Sequence, residues 1–420
     1  MHNFLLLFLL SVSFVSASLD PQSAFDRPWI LANDPGQFPD DSLDLPTNTP
    51  QALIYPTYAY PVDNGNAFTP SLHGVLIRRP EHFNLAYRIL LKMYKMHWKP
   101  KNKEEDDRLT ARMSYFFART LGSVRKLTPR VTGLTVGGYR VPSLPIRHDG
   151  RFNTDAVVSQ IQIPTTQVHP GDTLIAKYAF PTSDEIQYGR VHVYGQRGWS
   201  IVADIDDTVK DTWVIDYNKM FRRAFLETYQ PVRGMPQLFQ HLNQHLSTPD
   251  TPDVAFHYVS GTPYGLLPSL ERFFVNQSFP LGPIAVAKFR VKDPSTIWRL
   301  PQYVEFKIDE THKLARDFPY RRFIFFGDSG QRDAQAYGDL MREDPTRKRY
   351  QCAFIRLITG VDPKKEAKLN VREIFVKAFE GVDQRRWFLF REPEELLGID
   401  FHSGRCRPPH IPDSDIGGGL

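Results

Sequence analysis

From about residue 199 the chain alternates short apolar runs with longer stretches of helical period. The runs are Ser200–Ile205, Val254–Val259, Ile284–Ala287, Phe323–Phe326 and Cys352–Leu357. Strand, loop and helix in repeated succession predict an α/β unit over 199–400, a parallel sheet with flanking helices on both faces. Between 128 and 198 the period is two. Arg130–Thr135, Val157–Ile163, Thr173–Phe180 and Arg190–Tyr194 are separated by turns such as His148-Asp149-Gly150 and Pro170-Gly171-Asp172, the pattern of a small antiparallel β-domain. Residues 80–127 read as N-terminal helices, with Phe83, Tyr87, Leu90, Tyr94 and Trp98 on one face and Arg88, Lys92, Lys95 and Lys99 opposite. Such a helix either caps the domain behind it or lies on an anionic membrane as a peripheral contact. Residues 18–79, rich in Pro, Asp, Asn and Gln without period, predict an irregular leader, and 401–420 a C-terminal tail.

The first residues change the picture of where the chain works. Residues 4–15 (FLLLFLLSVSFV) form an apolar run too short to span a bilayer, closed by the small residues Val15-Ser16-Ala17. A signal peptide over 1–17, cut near Ala17, predicts a secreted chain; retention of Met1 would instead make it cytoplasmic or membrane-associated. Cys352 and Cys406, the two cysteines of the chain, could pair in an oxidising compartment. Asn276-Gln277-Ser278 is a glycosylation sequon, compatible with export. A net charge of +5 over 420 residues is too mild to predict nucleic acid as a partner.

Ligands of parallel sheets bind beyond the carboxyl ends of the strands, so the residues immediately after each apolar run carry the chemistry. After the first comes Asp204-Ile205-Asp206-Asp207-Thr208; after the second, Ser260-Gly261-Thr262; after the fourth, Gly327-Asp328-Ser329-Gly330, with Asp333 beyond. Carboxylates at this density repel one another unless a cation sits among them, and an all-oxygen set selects magnesium. Asp204, Asp206, Asp328 and Asp333 are the expected metal side. The i, i+2 spacing of Asp204 and Asp206 suits a nucleophile that attacks phosphorus and an acid/base that protonates the leaving oxygen and then activates water. Thr208 and Ser260 can hold the phosphoryl group, whose charge also needs a lysine.

In order and context, D-x-D-x-T after one strand, Ser after a second, a Lys upstream and G-D-x4-D after a fourth resemble the haloacid dehalogenase-like phosphatases. Asp204–Asp211 (DIDDTVKD), Gly234-Met235-Pro236, Phe256–Pro263 (FHYVSGTP), Phe279–Pro283 and Phe318–Asp333 (FPYRRFIFFGDSGQRD) further resemble the actin-patch-type phosphatidate phosphatase family, over about 110–345. The resemblance implies a haloacid dehalogenase-like sheet and magnesium-dependent hydrolysis of phosphatidate, or a related phospholipid, to diacylglycerol and phosphate. By position it makes Asp204 the nucleophile, Asp206 the acid/base, Thr208 and Ser260 the phosphate holders, Asp328 and Asp333 the metal side, and Lys307, with Lys313 as alternative, the phosphate-binding lysine. The chain departs from the family at Ala287-Lys288-Phe289-Arg290, where an Arg-Asp pair is usual, and in its expected export.

Three other readings compete. Phe326–Gly330 also resembles a serine esterase block with Ser329 as nucleophile, yet the Asp309–His312 tetrad precedes Ser329 instead of coming after it. A calcium loop at Asp204 fails because Val209 stands where the turn needs Gly and Ile215 where it needs Glu. A non-catalytic phosphate- or lipid-binding protein would use the basic helix at 88–99 and Arg347-Lys348-Arg349 as its working surface.

Overall fold

The computed structural model describes residues 51–78, 84–120, 130–147, 150–155, 157, 160–179, 186–287 and 303–409. The expected signal peptide, the leader as far as residue 50, Lys288, Arg290 and the last residues of the tail lie outside them. The chain divides into two units, one built from 51–76 and 120–194, the other from 77–119 and from 195 onward.

In the first unit a seven-stranded sheet runs in the order Ile163–Pro164, Ala67–Ser71, Thr57–Val62, Ile186–Val193, Thr173–Ala179, Leu134–Val136 and Tyr139–Arg140. Residues 51–76, expected to be irregular, are mostly strands of this unit. Asp63-Asn64-Gly65, with Asn64 at φ 52° and Gly65 at φ 90°, makes the turn between two of them. Turn residues between runs of Tyr, Ala, Phe and Thr are a hairpin, and their Pro and Asn content had suggested disorder instead. The added strand Thr57–Val62 pairs parallel to Ile186–Val193, so the sheet is mixed and not purely antiparallel. Its core includes Ala59, Phe68, Leu134, Val136, Ile163 and Val191, all buried.

The second unit holds six strands: β1 (Arg197–Ala203), β2 (Ala255–Pro263), β3 (Ile284–Ala287), β4 (Tyr320–Asp328), β5 (Tyr350–Arg356) and β6 (Trp387–Phe390). All pair in parallel, in the order β3-β2-β1-β4-β5-β6. The five expected strands are there, and β6 is a sixth. A parallel sheet covered on both faces needs strands apolar throughout, and Phe323-Ile324-Phe325-Phe326 of β4 is wholly buried. At the amino-terminal edge, the buried Arg321 guanidinium donates to Ser200 Oγ (2.9 Å), Gly195 O (3.0 Å) and Asp253 Oδ2 (2.8 Å), fastening β1, β2 and β4. Cys352 on β5 is disulfide-bonded to Cys406.

Two N-terminal helices, α1 (Asn84–Trp98) and α2 (Lys103–Phe116), belong to this unit and pack on α3 (Tyr217–Phe225). Trp98 stacks on Phe221 with centroids 4.1 Å apart. The last carbonyls of α3, which have no partner inside the helix, accept from Arg112 Nη1 (Ala224 O, 3.2 Å) and Arg108 Nε (Leu226 O, 2.7 Å). The remaining helices used below are α4 (Tyr303–Asp317) and α5 (Asp333–Glu343).

Candidate active site

Strand order reverses between β1 and β4, and the crevice at such a switch point is where open parallel sheets bind ligands. Asp204 comes directly after β1 and Asp328 ends β4, so both carboxylates rise at that crevice. Asp333 opens α5 and turns back, its Oδ2 accepting the Asp328 N–H at 3.0 Å. Oxygens of Asp204, Asp328 and Asp333 lie within 4.8 Å of one another, all buried. Lys307, from α4, places its ammonium 2.8 Å from Asp204 Oδ1 and pairs with Asp333 Oδ1 as well. Of the two lysines weighed from sequence, Lys307 is the one set against the cluster.

The loop after Asp204 is folded by Asp207. Its backbone is left-handed (φ 60°), and its carboxylate accepts the N–H groups of Thr212 (2.8 Å), Trp213 (2.7 Å) and Val214 (2.6 Å). That closure brings Lys210 back over Asp206. Lys210 Nζ lies 2.7 Å from Asp206 Oδ1, Thr212 Oγ1 donates to the same oxygen at 2.7 Å, and Thr262 Oγ1 donates to Oδ2 at 2.6 Å. Ser260 Oγ is 3.3 Å from Asp206 Oδ2, so the second strand end does reach the first. Asp206 was expected on the metal side. Its carboxylate instead stands outside the three-carboxylate cluster, because Lys210, Thr212 and Thr262 already use both oxygens.

Electrostatics separates the carboxylates. Burial pushes the Asp204 carboxyl well above its usual range; Lys307 opposes the rise, and Asp333 and Asp206 add to it. Burial likewise raises Asp328, with Asp333, Asp204 and Asp207 adding to it. For Asp206, burial is outweighed by Lys210 and by the Thr262 and Thr212 hydroxyls, and its pKa is lowered. Burial would lower the Lys307 ammonium, but Asp204 and Asp333 raise it overall.

A hard cation fits this arrangement. Asp204 Oδ2, Asp328 Oδ2 and Thr208 Oγ1 are buried without a hydrogen-bond partner, and buried polar oxygens without partners are rare unless something else satisfies them. Among the described residues, the four carboxylates of Asp204, Asp206, Asp328 and Asp333 pair with two ammonium groups, Lys210 and Lys307.

Sequence reasoning gave no role to Lys210, Thr212, Thr262 or Tyr303. Lys210 stands four residues after Asp206, but that spacing becomes a contact only through the Asp207 turn. Tyr303, the first residue of α4, lies against Gly261, where an added Cβ would sit 1.8 Å from its hydroxyl oxygen. Burial and then the charges of Asp206 and Asp204 hold its phenol neutral, as a donor. Ser329 takes no nucleophile's place: its Oγ accepts the Ile358 N–H at 2.9 Å, and His312 pairs with Glu343 at 2.6 Å.

Residues 199–357, which hold this whole constellation, match the family described as Phosphatidate phosphatase APP1, catalytic domain. The chain is 33% identical over 200 residues to Phosphatidate phosphatase APP1 of Saccharomyces cerevisiae, covering 47% of this chain and 31% of that protein. It is 26% identical over 166 residues to an uncharacterized protein of Schizosaccharomyces pombe, covering 37% of this chain and 25% of that one. The chain thus spans about a third or less of the length of these curated relatives. Over residues 199–357 the chain is similar to the catalytic domain of the actin-patch-type phosphatidate phosphatase family.

Proposed function

We propose that the protein is a magnesium-dependent phosphatase that hydrolyses phosphatidate, or a related phospholipid monoester, through an aspartyl-phosphate. The observation that carries this reading is the buried Asp204–Asp328–Asp333 cluster closed by Lys307 at the crevice between β1 and β4, inside the stretch that matches the family. The parallel sheet and the carboxylates at its switch point support a haloacid dehalogenase-like arrangement.

An Asp204 carboxylate oxygen attacks phosphorus, the bond to the lipid glycerol oxygen breaks, and that oxygen leaves with a proton from Asp206 as diacylglycerol. Asp206 then takes a proton from water, whose oxygen attacks the acyl-phosphate, releasing phosphate and restoring Asp204. Lys210 holds Asp206 ionised at rest, the form required for the second half of the cycle. For the first half, Asp206 must acquire a proton and leave Lys210, Thr212 and Thr262 for the leaving oxygen. Thr208 Oγ1, unpartnered, and the Ser260 hydroxyl are placed to donate to the phosphoryl oxygens, and Lys307 neutralises part of their charge. Asp204, Asp328 and Asp333 would hold the magnesium ion, which supplies further neutralisation of the phosphoryl group. Export remains part of the proposal, supported by the apolar run at 4–15 and by the Cys352–Cys406 disulfide.

The test is phosphate release from phosphatidate by purified protein. Chelation should abolish it, magnesium should restore it, and Asp204→Asn should cut turnover by at least ~10³-fold. Asp204→Asn keeping a tenth of wild-type turnover would refute the assignment.

A further inference from the structure

The inner face of α1 is spent on packing: Tyr87 and Trp98 are buried, with Leu91 and Tyr94 partly so. Its outer face carries a second apolar stripe that packing does not use. Leu85 is 73% exposed, Ile89 53%, Met93 55% and Met96 59%, four of the twelve large apolar residues that are exposed among the described ones. At about 100° per residue these four fall within an arc of about 80°. Arg88 and Lys92, both exposed, border that arc on one side, with exposed Lys99 just past the helix end. The helix NLAYRILLKMYKMHW contains no carboxylate, and Lys95 alone of its lysines is drawn inward, to Asp106 at 2.6 Å.

We propose that this outer face of α1 is the surface by which the enzyme lies on an anionic lipid layer. An apolar stripe edged by cations is the chemistry that inserts into the acyl boundary while its charges meet lipid headgroups. A second copy of the chain is the poorer occupant: a two-fold contact would set the cationic borders of the two helices together without an acid on either. The inference rests on the phosphatidate reading in one respect. Such a substrate is itself anionic and stays in its bilayer, and none of the described helices is long and apolar enough to cross one. The geometry ties the surface to the site. Trp98, the last residue of α1, lies 6.1 Å from Tyr217 and its carbonyl accepts from Arg222 Nη1 at 2.8 Å. Tyr217 begins α3, directly after the loop that carries Asp204 to Thr212.

Flotation of the full chain with phosphatidylcholine vesicles, with and without phosphatidylserine, tests the docking without any substrate present. Wild type should float with the anionic vesicles. The variant Leu85→Ser/Ile89→Ser/Met93→Ser/Met96→Ser should bind them at least ~100-fold more weakly, since four apolar side chains no longer enter the interface. Arg88→Gln/Lys92→Gln should bind about 25-fold more weakly, roughly five-fold per charge. All these side chains are exposed, so each variant should melt with the wild type and keep wild-type turnover of a water-soluble phosphomonoester. Turnover of vesicular phosphatidate by the four-fold variant should fall. Equal flotation of variant and wild type, absence of wild-type binding, or a wild-type dimer that the variant dissolves would each overturn the proposal. Flotation without turnover of any phosphomonoester would sink the phosphatase reading and leave the docking standing.

Discussion

Lys210→Met should be the most informative single change in the site. It removes the ammonium 2.7 Å from Asp206 Oδ1, in a pair whose side chains are 3% and 0% exposed. Removing one partner of a buried ion pair costs roughly 3–5 kcal/mol, because the other charge is left buried and uncompensated. Asp206 keeps the hydroxyls of Thr212 and Thr262, at 2.7 and 2.6 Å, so the lower end of that range applies. About 3 kcal/mol should lower the melting point by roughly 6–12 °C for a unit of this size. The sign of the pH dependence is fixed too. With Lys210 present, the folded pKa of Asp206 lies below its unfolded value, so the pair contributes stability above the unfolded pKa and loses it as pH falls through the folded one. Without Lys210, burial raises the folded pKa instead, and the variant recovers stability as acid protonates Asp206. The gap between wild type and variant should therefore be wide at pH 8 and narrower at pH 5. Denaturant unfolding at both values, with magnesium in excess throughout, measures it. Turnover at neutral pH should fall about 10–100-fold, the usual cost of losing a group that orients a catalytic one. A gap below ~1 kcal/mol, or one that does not change with pH, would refute the argument.

Three other outcomes are expected. Replacing Cys352 and Cys406 with Ala opens a link across a sequence separation of 54 and should cost up to about 4 kcal/mol in denaturant unfolding. His192, buried in the first unit and held neutral with its pKa lowered to about 3, cannot take the proton that the unfolded chain binds below about pH 6.5. Stability should fall by about 2 kcal/mol between pH 8 and 5, and His192→Leu should remove this contribution in the same denaturant unfolding. Ser329→Ala should lose at most ~10–100-fold in turnover, remain magnesium-dependent and, like wild type, resist a serine-directed fluorophosphonate; stoichiometric labelling of wild type at Ser329 would restore the esterase.

Local rules made part of the molecule legible. Strands of a parallel sheet are apolar throughout and their carboxyl ends carry the ligands, so Asp204, Ser260 and Asp328, with Asp333 just beyond, could be found after three of the five apolar runs. β6 escaped because Trp387–Phe390 is only four residues long and sits beyond two short helices. The strands at 51–78 escaped because prolines fall inside them at Pro61 and Pro70, and Pro within a run argues against a strand. The position of the Asp206 carboxylate, outside the Asp204–Asp328–Asp333 cluster, was illegible for a different reason. Spacing along the chain puts Asp204 and Asp206 on one rim, but which way each carboxylate faces is decided by the Asp207 turn and by the hydroxyl of Thr262, 56 residues on from Asp206. No period in the sequence encodes that.

The two aspartates of the D-x-D pair are consequently not interchangeable, and the structure says why. Groups whose surroundings push their pKa values in opposite directions are suited to opposite tasks, as the proposed mechanism assigns them. Asp204 and Asp328 are buried beside each other and Asp333, and burial raises both carboxyls, with the neighbouring carboxylates adding to the rise and Lys307 opposing it. Asp206 has a private ammonium and two hydroxyl donors, and is ionised without help. Under the proposed mechanism, a cation that joins Lys307 at Asp204 would favour its ionised, nucleophilic form and so link attack on phosphorus to metal occupancy, while Asp206 would be ready to take a proton from water in either state. Exchanging their surroundings would give an acid/base that depends on the metal and a nucleophile pinned to Lys210, and neither could do the other's work.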